Sequence, residues 1–419
     1  VNYQKVKSWI TKSFTCLLVL LLISGCASKA GSDSETPVNA AAGSDRSEIV
    51  IGASIPETGE LASFGVYAKW GYEKAIAEVN KEGGIMLSSI NKKLPVKLVL
   101  YDDSTRPENV TRNVQRLILN DKVDALLSPA TTPMVLAGAI VAEREKVPMV
   151  AALATVRSFL DAKPDGWNYV WLSFFDEVEM TDKHFLTMDK VQTNKKIALF
   201  TDNGPDGIGM AKLWREKASK FGYEIVSDSS FPVGTTGFGD MIRKAKDANA
   251  EIVISSMMTP DAISLVKQMK TLNYKPKGLF IEKGAEPSQF EKALGADANG
   301  IKVAGYWDPT LPFPGAQELR QSFEEDTGET YSQHIADTYT IAKILLDAIE
   351  AAGSLDKTAI NNEIGKTDKT YVLGPINYTK GPGKNVAPLP TFMLQWQNSK
   401  TEIVYPENLK TKDIIEYGK

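Results

Sequence analysis

Hydrophobic and polar positions change period repeatedly along this chain. From Glu48 onward, short apolar runs alternate with stretches whose apolar residues return every three to four positions. The runs 49–55 (IVIGASI), 96–101 (VKLVLY), 123–127 (VDALL) and 147–151 (VPMVA) are nearly continuous. A strand covered on both faces can be apolar throughout, whereas a half-exposed strand alternates, so these runs predict a parallel sheet between helical layers. Helices are predicted between them, near 62–81, 107–120 and 133–145. The series restarts after the aromatic stretch 167–175. It predicts strands at 196–201 (KIALFT), 224–226, 251–255 (EIVIS), 278–281 and 301–305, and helices near 207–221, 238–248, 261–272 and 287–294. Strand–helix–strand units cross over right-handed, so each series winds into a doubly covered sheet. The fold class expected is α/β with two Rossmann-like lobes, and ligands then bind beyond the carboxyl ends of the strands. Helices near 315–325 and 331–352 follow, the second with Ile335, Tyr339, Ile341, Leu345, Ala348 and Ile349 as its buried stripe. Strands at 370–378 and 391–397 (TFMLQWQ) come after, which predicts that the chain crosses between the lobes more than once.

The first 47 residues obey another pattern. Lys5, Lys7 and Lys12 precede the apolar run FTCLLVLLLI at 14–23. That run is too short for the ~30 Å hydrocarbon core of a bilayer but suits the core of a signal peptide. It leads into Leu22-Ile23-Ser24-Gly25-Cys26, which resembles a bacterial lipobox. The resemblance implies a signal peptide over 1–25, a diacylglycerol thioether on Cys26, and a tether over 26–47. The tether is small and polar with little to bury, and as a random coil it reaches on the order of 25 Å. More than one acyl chain on Cys26 gives lasting membrane attachment. Removing three lysines and no acid makes the mature chain more acidic than the formal −4 of the whole sequence.

Composition narrows the chemistry. With 419 residues there is room for two or three domains. The 48 Lys and Arg against 52 Asp and Glu leave no net basic face for nucleic acid. Two histidines, His184 and His334, and two cysteines cannot build a Cys/His zinc cluster. Cys16 leaves with the signal and Cys26 is lipidated, so no disulfide framework is expected. Gly381-Pro382-Gly383-Lys384 lacks the spacing of a phosphate-binding P-loop, and neither GxSxG nor HExxH occurs. Asp102-Asp103 and Glu324-Glu325-Asp326 have no neighbouring histidine and read as a strand-end cap and a solvated helix face. Nothing marks a reaction or a cofactor. The chain reads as a binding protein.

A set of motifs makes that reading specific. IGASIPETGELASFG (51–65), AEVNKEGGI (77–85), LVLYDDSTRPENV (98–110), DKVDALLSPATTP (121–133), VPMVAALAT (147–155), LFTDNGPDGIG (199–209) and LGPINY (373–378) occur in this order. In them the chain resembles the branched-chain (Leu/Ile/Val-type) amino-acid-binding lipoproteins of ABC importers, periplasmic binding proteins of type I. The resemblance covers Glu48 to about Tyr405. It implies a central cleft and three hinge crossings, with one lobe of 48–172 plus 308–372 and another of 173–307 plus 373–419. It also implies ABC permease subunits and a membrane, reached through the lipid anchor, as partners, and an extracytoplasmic location.

The resemblance assigns the ligand carboxylate to the turn Ala130-Thr131-Thr132-Pro133. Free N–H groups and a positive dipole end favour an anion there, with Thr132 expected as the N-cap. Ala154 and Thr155 supply the second element, and Phe64 stands where a cleft tyrosine is usual. On the other lobe the sequence departs from the pattern. Asp206 and Met258 replace aromatic residues, and Lys283 aligns with the acid that pairs with the ligand ammonium. An ammonium beside Lys283 is repelled by about 1 to several kcal/mol, depending on the local dielectric. Either Glu282, Asp206 or Glu57 takes over that role, or the ligand is an aromatic or aliphatic carboxylate or an amide. A sensor of the same fold and a hydrolase using Asp206 with Glu282 are the rival readings. The aromatic group Trp167, Tyr169, Trp171, Phe174 and Phe175 could line a site or pack a core.

Overall fold

The computed structural model describes residues 46–418. Cys26, the signal peptide and the tether lie outside the described residues. The first sheet has six parallel strands in the order Val386–Leu389, Val170–Phe175, Met149–Ala151, Ala125–Leu127, Ile49–Ile55, Val96–Asp102. The second has seven, in the order Lys400–Tyr405, Phe392–Gln397, Ile301–Gly305, Gly278–Lys283, Ile252–Met257, Lys196–Asp202, Glu224–Phe231. Its last five are parallel to one another, while Phe392–Gln397 and Lys400–Tyr405 join antiparallel. Ile49–Ile55 and Ile252–Met257 are buried at every residue, as strands covered on both faces are, with only the small Ser54, Ser255 and Ser256 as polar side chains.

Both sheets share one winding. In each, the first strand in chain order lies between the second and the third, so the strand order reverses beside it. The crevice at that reversal, beyond the carboxyl ends, is where open α/β sheets take ligands. In the first lobe it is bounded by the ends of Ile49–Ile55 and Ala125–Leu127, and in the second by the ends of Lys196–Asp202 and Ile252–Met257. The helix after each first strand packs tightly on its own strand end. A Cβ on Gly65 would run into the Pro56 carbonyl, and one on Gly207 into the Asp202 carbonyl. These two glycines let the helices Ala62–Lys81 and Pro205–Ala218 start close enough to place Phe64 and Asp206.

The chain passes between the sheets three times: after Phe175, after Gly305 and after Leu389. The third passage corrects the boundary expected at residue 373. Val386–Leu389 pairs in parallel with Val170–Phe175, so the chain stays with the first sheet until that strand ends. The strand is short and carries Pro388, which hides it from a periodicity search. The expected strand at 370–378 is a hairpin, Asp368–Tyr371 with Gly374–Asn377. The helix His334–Ala352 buries its apolar stripe against the first lobe and ends at Gly353 in the left-handed conformation.

Candidate functional site

A cleft lies between the two sheets' carboxyl ends. From the first lobe it is lined by Phe64, Thr131, Thr132, Leu153, Thr155, Phe174, Phe175 and His334. From the second come Met180, Asp206, Met210, Ser256, Glu282, Lys283 and Glu286. The space between the walls is about 60 Å³.

The first wall is built on the turn before the helix Thr132–Glu145. Thr131 occupies its N-cap position with φ 68°, and its side chain makes no capping bond. Its buried Oγ1 has no hydrogen-bond partner among the described residues. The expectation that Thr132 caps the helix is therefore corrected by one position. Thr132 is the first helical residue, and its Oγ1 accepts from the Thr155 backbone N–H at 3.1 Å. That bond ties the two expected turns together. Thr155 Oγ1 donates to Ser158 Oγ at 2.9 Å as the short helix Val156–Asp161 starts. Leu153 also has positive φ, 61°. Side chains rarely adopt this conformation, which Thr131, Leu153 and Lys283 share at the cleft. Phe174 and Phe175, with ring centroids 4.2 Å apart, continue the wall, and Phe64 lies 4.9 Å from the His334 ring.

The second wall is ionic. Lys283, with φ 64°, reaches Asp206 Oδ2 with its Nζ at 3.0 Å. Burial pulls the Lys283 pKa down, but the carboxylates of Asp206 and Asp202 more than reverse this and hold it above the ordinary lysine value. Asp206 Oδ1 is buried without a hydrogen-bond partner. Glu282 is consumed by structure. Its Oε1 lies 2.6 Å from His184 Nε2 and accepts the Ala304 N–H at 3.0 Å. Trp214 Nε1 donates to His184 Nδ1 at 3.3 Å, so the ring's other nitrogen carries the proton toward Glu282. Burial nonetheless raises the Glu282 pKa.

One ionic group spans the lobes. His334 Nε2 meets Glu286 Oε2 at 2.7 Å, and Nδ1 meets Asp337 Oδ2 at 3.1 Å, with Tyr306 bonded to both His334 and Asp337. Burial disfavours the imidazolium, but the bonds to Asp337 and Glu286 outweigh it and raise the pKa to about 9. The ring is cationic at neutral pH. The Tyr67 hydroxyl adds a second bridge, accepting the Ser288 N–H at 3.0 Å.

Of the expected site residues, Phe64, Thr131, Thr132, Thr155, Asp206, Glu282 and Lys283 meet at the cleft. Ala130 and Ala154 are fully buried in the turns behind it. Met258 lies past the end of its strand, caps the next helix and packs into the core, while Ser256 two positions earlier lines the cleft. Glu57 is exposed and paired with Lys69 at 2.8 Å, which removes it from the site. Phe174 and Phe175 are wall residues, whereas Trp167 stacks on Phe159 and Trp171 bonds Asn361 in the first lobe. His334, Glu286 and Ser256 were not legible: the first two are 48 positions apart and meet only in the fold. Among the described residues no His, Cys, Asp and Glu gather to hold a metal, and no helix is long and apolar enough to cross a membrane.

Residues 48–401 match the family described as periplasmic binding protein. The chain belongs to that family. A Leu/Ile/Val-binding protein homolog from Brucella suis is 23% identical, covering 88% of this chain and 94% of its own length. Among solved structures, a branched-chain amino acid transporter substrate-binding protein from Streptococcus pneumoniae, in complex with isoleucine, superposes with a TM-score of 0.75. It is 23% identical and covers 86% of this chain and all of its own. A solute-binding protein of an ABC transporter from Rhodopseudomonas palustris, in complex with 3,4-dihydroxybenzoic acid, gives 0.71 at 19% identity, covering 89% and 99%. The type I periplasmic binding fold expected from the motifs is the fold found. This periplasmic binding protein has substrate-binding proteins, not enzymes, as its relatives, and the family implies an extracytoplasmic location. The acid couple of the hydrolase reading is moreover tied up, Asp206 by Lys283 and Glu282 by His184.

Proposed function

We propose that this protein is the lipid-anchored solute receptor of an ABC importer, capturing a small carboxylate with an apolar body. The observation that carries this reading is the buried Thr131 hydroxyl, without a partner among the described residues, at the start of a helix on the wall that also carries Phe64, Phe174 and Phe175. A carboxylate there receives a hydroxyl hydrogen bond, the backbone amides of the first turn and the positive end of the helix dipole. The apolar body lies against Phe64, Phe174, Phe175 and Met210. A solute touching both walls gains contacts in the closed form that it lacks in the open one, and closure follows from that difference. The closed form is then what the permease recognises, with Cys26 keeping the body near the membrane. Branched-chain or other hydrophobic amino acids carry the carboxylate and the apolar body that this wall calls for. The Lys283–Asp206 pair favours a second ligand class, an aromatic or aliphatic carboxylate or an amide.

A thermal-shift screen of purified protein against amino acids, aromatic acids, dicarboxylates and amides tests the reading. A solute at 100 times its Kd adds about 2.7 kcal/mol, a readable shift. If no carboxylate shifts the transition, the reading fails. Loss of membrane association on Cys26→Ser tests the anchor.

A further inference from the structure

Every carboxylate on the second wall already has a nitrogen partner. Glu282 takes His184 and the Ala304 N–H. Glu286 takes the Lys283 backbone N–H at 3.0 Å and His334. Asp206 takes the Lys283 ammonium on Oδ2. A ligand ammonium reaching this wall would find only Asp206 Oδ1 unpartnered, and there it would stand beside the Lys283 ammonium. A second ligand carboxylate does no better, because Asp206 stands beside the lysine that would attract it.

What the wall does offer is a matched donor and acceptor side by side. Asp206 Oδ1 is buried and unsatisfied. Lys283 Nζ carries three N–H donors, one of which meets Oδ2 at 3.0 Å. Both side chains line the cleft and are about 12–13% exposed. A group complementary to the pair must donate to the carboxylate and accept from the ammonium while carrying no charge. An alcohol, a phenol or a primary carboxamide meets that description. A buried acceptor left without a donor is costly, so a ligand lacking one binds less well than one supplying it.

We infer that the Lys283–Asp206 pair sets the specificity of the cleft. It selects carboxylates that present a hydroxyl or carboxamide to the second lobe and rejects those that present an ammonium. The inference deepens the carboxylate-receptor reading and rests on it. Because the lysine is held by the turn at φ 64° and by its bond to Asp206 at 3.0 Å, its charge is fixed in place. The pair therefore discriminates as a unit.

Titration calorimetry with three solutes of one skeleton separates the possibilities: leucine, 2-hydroxy-4-methylpentanoate and 4-methylpentanoate. The wild type should bind the hydroxy acid at least tenfold more tightly than leucine and more tightly than the unsubstituted acid. Lys283→Met frees Asp206 and should reverse the order of leucine and hydroxy acid, while Lys283→Arg keeps the cation and should keep the wild-type order. A variant that melts more than a few degrees low is replaced by Asp206→Asn, which should lessen the hydroxy acid's advantage over 4-methylpentanoate. Tighter binding of leucine by the wild type, or an order unmoved by Lys283→Met, overturns the role of the pair and leaves the carboxylate reading standing. Absence of binding by all three, with no carboxylate active in the thermal screen, overturns the carboxylate reading and this inference together.

Discussion

Two lobes wound in the same strand order line the cleft with different chemistry. The first lobe presents a hydroxyl, backbone amides and phenyl rings around Thr131, Thr155, Phe174 and Phe175. The second presents paired ions, Lys283 with Asp206 and Glu286 with the His334 that the first lobe supplies. A helix start binds an anion with dipoles that are already aligned and need no counter-charge. Side-chain ions in a closing cleft must be desolvated, and they persist because each has its partner a hydrogen bond away. Topology thus fixes where each wall meets the cleft, and a few residues after each strand decide what that wall can recognise.

That contrast can be broken at its strongest point first. His334→Ala leaves Glu286 and Asp337 buried without their imidazolium, and removing one member of a buried ionic group costs about 3–5 kcal/mol. Urea unfolding should show this loss, whereas a first-wall hydroxyl variant should not. The pH dependence follows from the same group. The His334 pKa is raised from about 6.5 to about 9 in the folded protein. Its stabilisation, up to about 3 kcal/mol, is therefore complete below pH ~6.5 and lost as pH rises through ~9. The stability difference between wild type and His334→Gln should shrink over that interval. A difference flat from pH 6 to 10 would show that the ring is not charged. Thr131→Val keeps the β-branched shape and removes only the hydroxyl. It should weaken the best carboxylate by roughly 1–3 kcal/mol in calorimetry, with stability nearly unchanged. The smallest effect belongs to Glu57→Gln, which breaks an exposed ion pair with Lys69. Stability should move by no more than about 0.5 kcal/mol and affinity not at all.

The alternation of nearly continuous apolar runs with helical ones carries most of the fold in the sequence, because strands buried on both faces have few polar positions to blur them. Val386–Leu389 escapes it among the parallel strands, and Glu224–Phe231 is cut short. The latter reads as three residues because its length faces outward with Ser227, Ser229 and Ser230. The candidate cleft lining was legible where the resemblance marks a turn after a strand, as at Thr131 and Asp206, which both line the cleft. It was illegible where placement depends on chain folding back. Ser256 rather than Met258 lines the cleft because the strand ends at Met257 and the next residue turns inward as a cap. The His334–Glu286 bridge needs a helix of one lobe set against a loop of the other, and no spacing encodes that.

The passage back after Leu389 has a consequence for how the molecule can be taken apart. Neither half of the clamp is one uninterrupted stretch of gene, so a fragment ending near residue 373 would lack an edge strand of the half it was meant to contain. Exchanging recognition walls between relatives therefore means transplanting turns, not splicing halves.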